Sequence, residues 1–404
     1  HFRVVTFRGN PQPVHLLPIL MKSRNALVVL FLGALVLPAA ANLAGFSGAN
    51  AEAENRRMAE LPKLEPRLAS LAAYPDAFTA WWDDNFGFRS TLVRWSGELR
   101  WFGLGVSPST TVVRGKEGWL YYAGDSGMDD YVRESPFDAK ALGEWRETLV
   151  RSREWLRRQG VAFVFTISPD KHVVYPEYLP ETIRPVGGTY RMDQLFRALD
   201  GTGVPAVDVR GALLAAKPNE RLFEKTDTHW NERGAYLAYE ELVRAVREQV
   251  PAVPPALPRS DFDAVSRDEA GMDLAGMIGL KDVLREERLL LVPRRPRLAR
   301  TVEPEGGEPW WGNGRIVTEI PGSTLPRAVV FRDSFTSRLA PFLSEHFSRV
   351  VYLWQDNFDE EVVRQEKPDV VIQQIVGRHL LTSYPYSSAP TGPGSSSDRP
   401  STRR

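Results

Sequence analysis

Two short stretches hold residues that can do covalent chemistry. Asp227-Thr228-His229-Trp230 sets a carboxylate two residues before one of only six histidines. Further on, the apolar run Ala328-Val329-Val330-Phe331 ends in Arg332-Asp333-Ser334-Phe335. A serine hydroxyl is a poor nucleophile until an adjacent base takes its proton, and that base works best when a carboxylate orients it. In a sharp strand-to-helix turn, backbone amides of the following helix can also face a developing oxyanion. Each stretch has a plainer reading as well. Asp and Ser both favour helix N-caps, so Asp333-Ser334 fits a cap. Asp227 or Thr228 fits another, with His229 in the first helical turn.

His172, in the strand-end loop Ser168-Pro169-Asp170-Lys171-His172, is the rival base. His1 and His15 fall outside the domain, His346 sits in the surface-like setting Glu345-His346-Phe347, and His379 lies near a fraying end. One Asp with one His is too few for a metal site, so neither metal nor cofactor is expected.

Such side chains need a frame. From Ser135-Pro136, read as an N-cap and a first-turn proline, helical and apolar strand patterns alternate. Leu142, Trp145, Leu149 and Leu156 share one helical face, and Val161–Ile167 reads as a strand buried on both sides. A helix over 190–199 and a strand over 204–209 follow; the helix opened by Asp227–Trp230 ends near Val250. Residues 251–326 break the rhythm with Pro and Gly and read as a β-rich insertion with a hairpin. Strand 328–331, helix 336–346, strand 350–354, helix 358–365 and strand 369–376 then resume it. This pattern predicts a three-layer α/β domain with a mostly parallel sheet, whose working groups sit just beyond strand carboxyl ends. Ahead of it, 112–122 reads as a hairpin, and Phe78–Phe102 as an aromatic helical segment.

Composition narrows the chemistry. Formal net charge is zero, which gives a nucleic-acid backbone nothing to favour. With no cysteine, thiolate catalysis, zinc–thiolate sites and disulfides are excluded. Met21-Lys22-Ser23-Arg24 precedes the apolar run Ala26–Leu37, a basic flank before an apolar stretch that reads as a signal sequence or an N-in membrane anchor. Residues 1–20 carry no usable pattern and are expected to be non-native or disordered. The signal or anchor occupies 21–50, a linker and the aromatic segment 51–110, and the catalytic domain 111–382. The Pro/Ser/Gly-rich tail 383–404 is expected to be disordered.

Several blocks, in order, resemble one family. They are Trp82-Asp83-Asp84-Asn85-Phe86-Gly87-Phe88-Arg89, Gly115-Lys116-Glu117-Gly118-Trp119-Leu120-Tyr121, Pro169-Asp170-Lys171 with Tyr175 and Leu179-Pro180, Asp227–Trp230 and Asp333-Ser334-Phe335. The chain resembles the alginate O-acetyltransferases of the AlgJ/AlgX type, with an SGNH-hydrolase-like catalytic domain. The resemblance implies Asp227, His229 and Ser334 as the triad, in a motif order rearranged from SGNH hydrolases where Ser comes first. It also implies acetyl transfer through a serine acyl-enzyme onto hydroxyls of an exported polysaccharide, an alginate-like exopolysaccharide or cell-wall polymer. The expected setting is periplasmic, anchored or released, beside a membrane-bound acyl-transfer partner and an export complex. Arg332 stands where a small residue would more usually precede the Asp-Ser pair. Lys171, Tyr175, Arg332, Trp310 and Trp311 are candidate substrate-binding residues: a lysine for acidic sugars, tryptophans for stacking. A solvated loop lysine and a packed tryptophan hairpin are the bland alternatives. A carbohydrate acetylesterase with the same triad, or a non-catalytic sugar-binding or assembly subunit, also fits the sequence.

Overall fold

The computed structural model describes residues 17–44, 59–64, 67–303, 310 and 314–382. The chain forms two compact units, His1–Leu99 and Arg100–Arg404. In the first, α1 (Leu17–Leu43) includes Asn25–Asn42, a stretch of mean hydropathy 1.9, long and apolar enough to cross a membrane. The expected single aromatic segment is instead two helices, α2 (Leu68–Asn85) and α3 (Arg89–Glu98). They break where Phe88 adopts φ 62°. A Cβ on Gly87 would stand 2.2 Å from the Pro38 carbonyl oxygen, so only glycine lets this turn approach α1.

The second unit opens with the expected hairpin, β1 (Val112–Arg114) against β2 (Leu120–Tyr122). It continues through α4 (Gly127–Val132), α5 (Ala139–Arg158), β3 (Ala162–Ser168), α6 (Lys171–Val174), α7 (Arg191–Leu199), β4 (Ala206–Asp208), α8 (Arg210–Ala216) and α9 (Glu232–Gln249). The insertion supplies β5 (Phe262–Ala270), α10 (Asp273–Met277), β6 (Arg285–Pro293), β7 (Arg300–Glu303) and β8 (Ile316–Glu319). Then come β9 (Arg327–Arg332), α11 (Thr336–Leu343), β10 (Arg349–Trp354), α12 (Glu360–Glu366) and β11 (Val370–Val376).

The main sheet runs β4-β3-β11-β9-β10-β8-β7. Its first five strands are parallel, while β8 and β7 pair antiparallel at one edge. Alternating strand residues face opposite layers. Val164, Val330 and Ile372 join the core under α9 and α11 with Tyr239, Leu242 and Leu339. Phe163, Phe165, Phe331 and Val371 face α5 and α7 with Leu149, Leu156 and Leu195. The insertion thus has two parts. Its hairpin β5–β6 pairs from Phe262↔Pro293 to Ala270↔Arg285, and its later strands extend the sheet.

Two predicted caps shift. Asp138, not Ser135, caps α5 and accepts from the Ala141 amide at 2.7 Å. Asn231, not Asp227 or Thr228, caps α9, its side-chain oxygen accepting from the Arg233 and Gly234 amides at 3.0 Å each. Asp227 and His229 therefore precede the helix, free of capping duty.

Candidate active site

Ser334 follows β9 directly, at the carboxyl end of a central parallel strand. It is half-buried while its neighbours Asp333 and Phe335 are buried. Asp333 does the local capping: its Oδ1 accepts from the Phe335 amide at 2.8 Å and its Oδ2 from the Val376 amide at 2.5 Å. The serine hydroxyl is left for other work. His229 Nε2 lies 2.7 Å from Ser334 Oγ, and His229 Nδ1 lies 2.7 Å from Asp227 Oδ1. The three side chains stand in the order and spacing of a nucleophile, base and orienting carboxylate.

The triad is braced from behind. Arg338, in the first turns of α11, donates from Nη2 to Asp227 Oδ2 at 2.8 Å and from Nη1 to Glu224 Oε1 at 3.3 Å. Burial pushes the Asp227 carboxyl up, but the His229 ring and the Arg338 guanidinium outweigh it and hold Asp227 well below the usual carboxylate range. Glu224 goes the other way: burial dominates and raises its carboxyl to about 7 despite Arg338. Asp273, at the start of α10, accepts from the Thr228 amide at 2.8 Å and places Oδ2 3.8 Å from His229 Nδ1. Trp230 donates its indole N–H to the Phe335 carbonyl at 3.0 Å, tying the His229 segment to the Ser334 turn.

Three strand ends are laced together by Gln374 of β11. Its Nε2 donates to Ser168 Oγ at 3.0 Å and to Asp333 Oδ1 at 2.9 Å, while its Oε1 accepts from the Asp333 amide at 3.1 Å. Asp170 takes the Arg378 amide at 2.8 Å and Arg378 Nη1 at 2.7 Å, joining the ends of β3 and β11.

The remaining predicted residues divide. Asp227, His229 and Ser334 come together. Lys171 does not reach a surface: it is 3% exposed, and its Nζ donates to the carbonyls of Leu120, Glu224 and Lys225 at 2.7, 2.9 and 3.0 Å. All three ammonium hydrogens are spent on framework, so Lys171 is neither the solvated lysine nor the sugar contact considered from sequence. Tyr175 is buried and its hydroxyl accepts from the Leu222 amide at 2.9 Å, again a framework bond. Arg332 is fully buried, its guanidinium 4.3 Å from the Trp354 ring and its Nη1 donating to the Trp310 carbonyl and Ser337 Oγ at 3.1 and 3.0 Å. Trp310 packs edge-on against Tyr352 and lines a cavity of about 450 Å³ with Arg288, Arg297 and Arg338, a space that Ser334 and His229 do not line. Trp311 lies outside the described residues.

Among the described residues, the other histidines are accounted for; His1 and His15 lie outside them. His172 is buried, edge-on to Tyr131, and desolvation pulls its ring below the usual range. His346 is buried rather than solvated: Tyr239 Oη lies 2.5 Å from its Nε2, and burial pulls it down to about 4. His379 sits in a short helical turn with Nδ1 3.2 Å from Asp356 Oδ2.

Sequence reasoning missed Arg338, Gln374, Asp273 and Arg378. Two had a signal. Arg338 is the lone charge in the apolar helix Thr336–Leu343, and Gln373-Gln374 interrupts an otherwise aliphatic strand.

Residues 112–303 match the family described as ALGX: SGNH hydrolase-like domain, acetyltransferase AlgX. This stretch contains Asp227, His229 and Asp273 and ends before Ser334. Among curated proteins, the probable alginate O-acetylase AlgJ of Pseudomonas syringae pv. tomato is 34% identical over 146 residues, 35% of this chain and 34% of that protein. The probable alginate O-acetylase AlgJ of Pseudomonas aeruginosa is 33% identical over 138 residues, 34% of this chain and 33% of that protein. The match thus spans about a third of each relative. Among solved structures, the O-acetyltransferase domain of Pseudomonas putida AlgJ aligns with TM-score 0.46 at 20% identity, over 69% of this chain and 95% of that one. Bacillus cereus PatB1 aligns with TM-score 0.49 at 16% identity, over 67% and 96%. Over residues 112–303 the chain is thus similar to the SGNH hydrolase-like domain of the AlgX acetyltransferase family, and over about a third of its length to AlgJ proteins.

Proposed function

We propose that this protein is an O-acetyltransferase that passes an acetyl group through Ser334 onto hydroxyls of an exported polysaccharide. One observation carries the reading: the unbroken relay from Ser334 Oγ through His229 to Asp227, each bond 2.7 Å. The names of the AlgJ relatives support a sugar acceptor and an acetyl group.

In the first half-reaction His229 Nε2 takes the Ser334 proton as Oγ bonds to the acetyl carbonyl carbon. The tetrahedral intermediate collapses, the donor's oxygen leaves with that proton, and acetyl-Ser334 remains. In the second, His229 deprotonates a sugar hydroxyl, which attacks the ester; Ser334 leaves and regains a proton from the imidazolium. Asp227 keeps the ring in the tautomer with Nδ1–H and stabilises the imidazolium. The α1 segment supports action on the periplasmic side, anchored or exported, supplied by a membrane-bound acyl-transfer partner and working beside a polysaccharide export complex.

The test is incubation of the full chain with an activated acetyl ester and a polysaccharide. Acetylated sugar is expected, with Ser334→Ala slower by at least about 10³-fold. Free acetate without acetylated sugar would make the protein an esterase. Unchanged turnover in Ser334→Ala would remove the serine from the mechanism.

A further inference from the structure

The outward face of α3 is apolar, the reverse of a surface helix that faces water. Leu92, Trp95 and Leu99 are 45%, 58% and 65% exposed. Their spacing of three and then four residues puts them on one face, and Leu99 keeps helical dihedrals just past the last turn. Gly97, on the far side, is buried. Arg94 and Glu98 pair with each other at 3.5 Å and flank the stripe without interrupting it. Three side chains fall short of the roughly 800 Å² per partner that a stable protein interface buries.

The helix packed beside this corner points to what covers the stripe. From Leu27 to Leu37 the described large apolar side chains of α1 are all more than half exposed. A helix that is apolar all round and bare suits hydrocarbon, and Asn25–Asn42 is long enough to cross it. The cover changes at the end of α1. Pro38 and Ala41 are buried, a Cβ on Gly87 would meet the Ala41 Cβ at 2.9 Å, and Asn42 donates its side-chain amide to the Asn85 carbonyl. The α2–α3 corner therefore stands where α1 leaves the apolar layer. Trp81 and Trp82, both half-buried, lie about one turn before that corner, with the Trp82 ring edge-on to Phe86 at 6.0 Å. Tryptophan and arginine are the side chains that settle at the headgroup level of a bilayer.

We infer that the Leu92–Trp95–Leu99 face of α3 is a docking surface for the lipid bilayer, seated in the headgroup region beside the exit of α1. The chain then holds the membrane by a span and by an interfacial helix together. The inference rests on the anchored form of the proposed setting and is independent of acetyl transfer.

The chain has no cysteine, so a single one can be introduced as a label site. The full chain carrying Leu92→Cys is labelled with a nitrobenzoxadiazole dye and reconstituted into vesicles of phosphatidylethanolamine with phosphatidylglycerol. Lys140→Cys, on an exposed side chain of α5, serves as the water reference, and Leu30→Cys as the hydrocarbon reference. Quenching of the Leu92→Cys label by aqueous iodide is expected to be about tenfold weaker than at position 140, the change that about 1.4 kcal/mol of burial gives. A nitroxide carried at the lipid headgroup is expected to quench it. Adding Trp95→Gln and Leu99→Gln is expected to return the label to water.

Iodide access at position 92 equal to that at 140, with the position 30 label in lipid, would overturn the inference and leave the anchor standing. Protection from iodide without quenching by the lipid nitroxide would show that protein covers the stripe, and would also overturn it. A position 30 label open to iodide would remove the anchor and the inference together.

Discussion

Arg338→Met tests whether the triad extends one residue further than its three named members. The substitution keeps an unbranched side chain of similar reach and removes both charge-assisted bonds, the 2.8 Å contact to Asp227 Oδ2 and the 3.3 Å contact to Glu224 Oε1. Breaking a buried ion pair on one side typically costs about 3–5 kcal/mol. Here part of that is relieved, because Glu224 is already raised to about 7 and takes a proton once its cation is gone. A destabilisation of about 3 kcal/mol is expected by denaturant melt, with the protein still folded.

The catalytic loss is separate. A hydrogen bond to a charged group is worth about 1.5–3 kcal/mol, so a loosened Asp227 lowers kcat roughly 10- to 150-fold. The pH profile carries the distinctive signature. Arg338 helps hold Asp227 low, so its loss raises the Asp227 carboxyl, and the acid limb of activity moves to higher pH. A folded Arg338→Met protein with wild-type kcat and an unmoved acid limb would show that the arginine only fills space.

Three further outcomes follow from the framework. Lys171→Met strips the donor from the carbonyls of Leu120, Glu224 and Lys225, so a loss of about 3 kcal/mol or more is expected in a melt, with little change in acceptor KM for the folded fraction. Gly234→Ala would place a Cβ 2.4 Å from the Leu222 carbonyl oxygen; although alanine ordinarily favours a helix, a loss of about 1–3 kcal/mol is expected. His346 is depressed to about 4, so its contribution is present above pH 6.5 and lost as pH falls through about 4. Roughly 3 kcal/mol is at stake by that shift, and His346→Gln should flatten the stability curve in that window.

Much of the frame was legible because strand alternation and helical periodicity are local properties. Asp227, His229 and Ser334 sit at element boundaries where chemistry and capping compete for the same residue types, and it was the family resemblance that singled them out. Only the three-dimensional fold settles that competition: Asn231 takes the α9 cap and Asp333 the amide of Phe335, which releases His229 and Ser334. Lys171 was misread because a loop lysine looks solvated in sequence, while the carbonyls that bury it come from residues about 50 positions away. His346 was misread for the same reason, since Tyr239 reaches it from α9. Arg338 and Arg378 were invisible as site residues because their partners lie 111 and 208 positions distant.

The bond from the Trp230 indole to the Phe335 carbonyl bypasses every atom of the proposed relay. It links two segments 105 residues apart without using the imidazole or the hydroxyl. The proposed base and nucleophile segments are therefore tied together as one mechanical part. Swapping either segment alone from a relative would break the part, whereas exchanging both together would preserve it. The indole proton and the amides of the nucleophile turn should also exchange with solvent as a single cooperative unit.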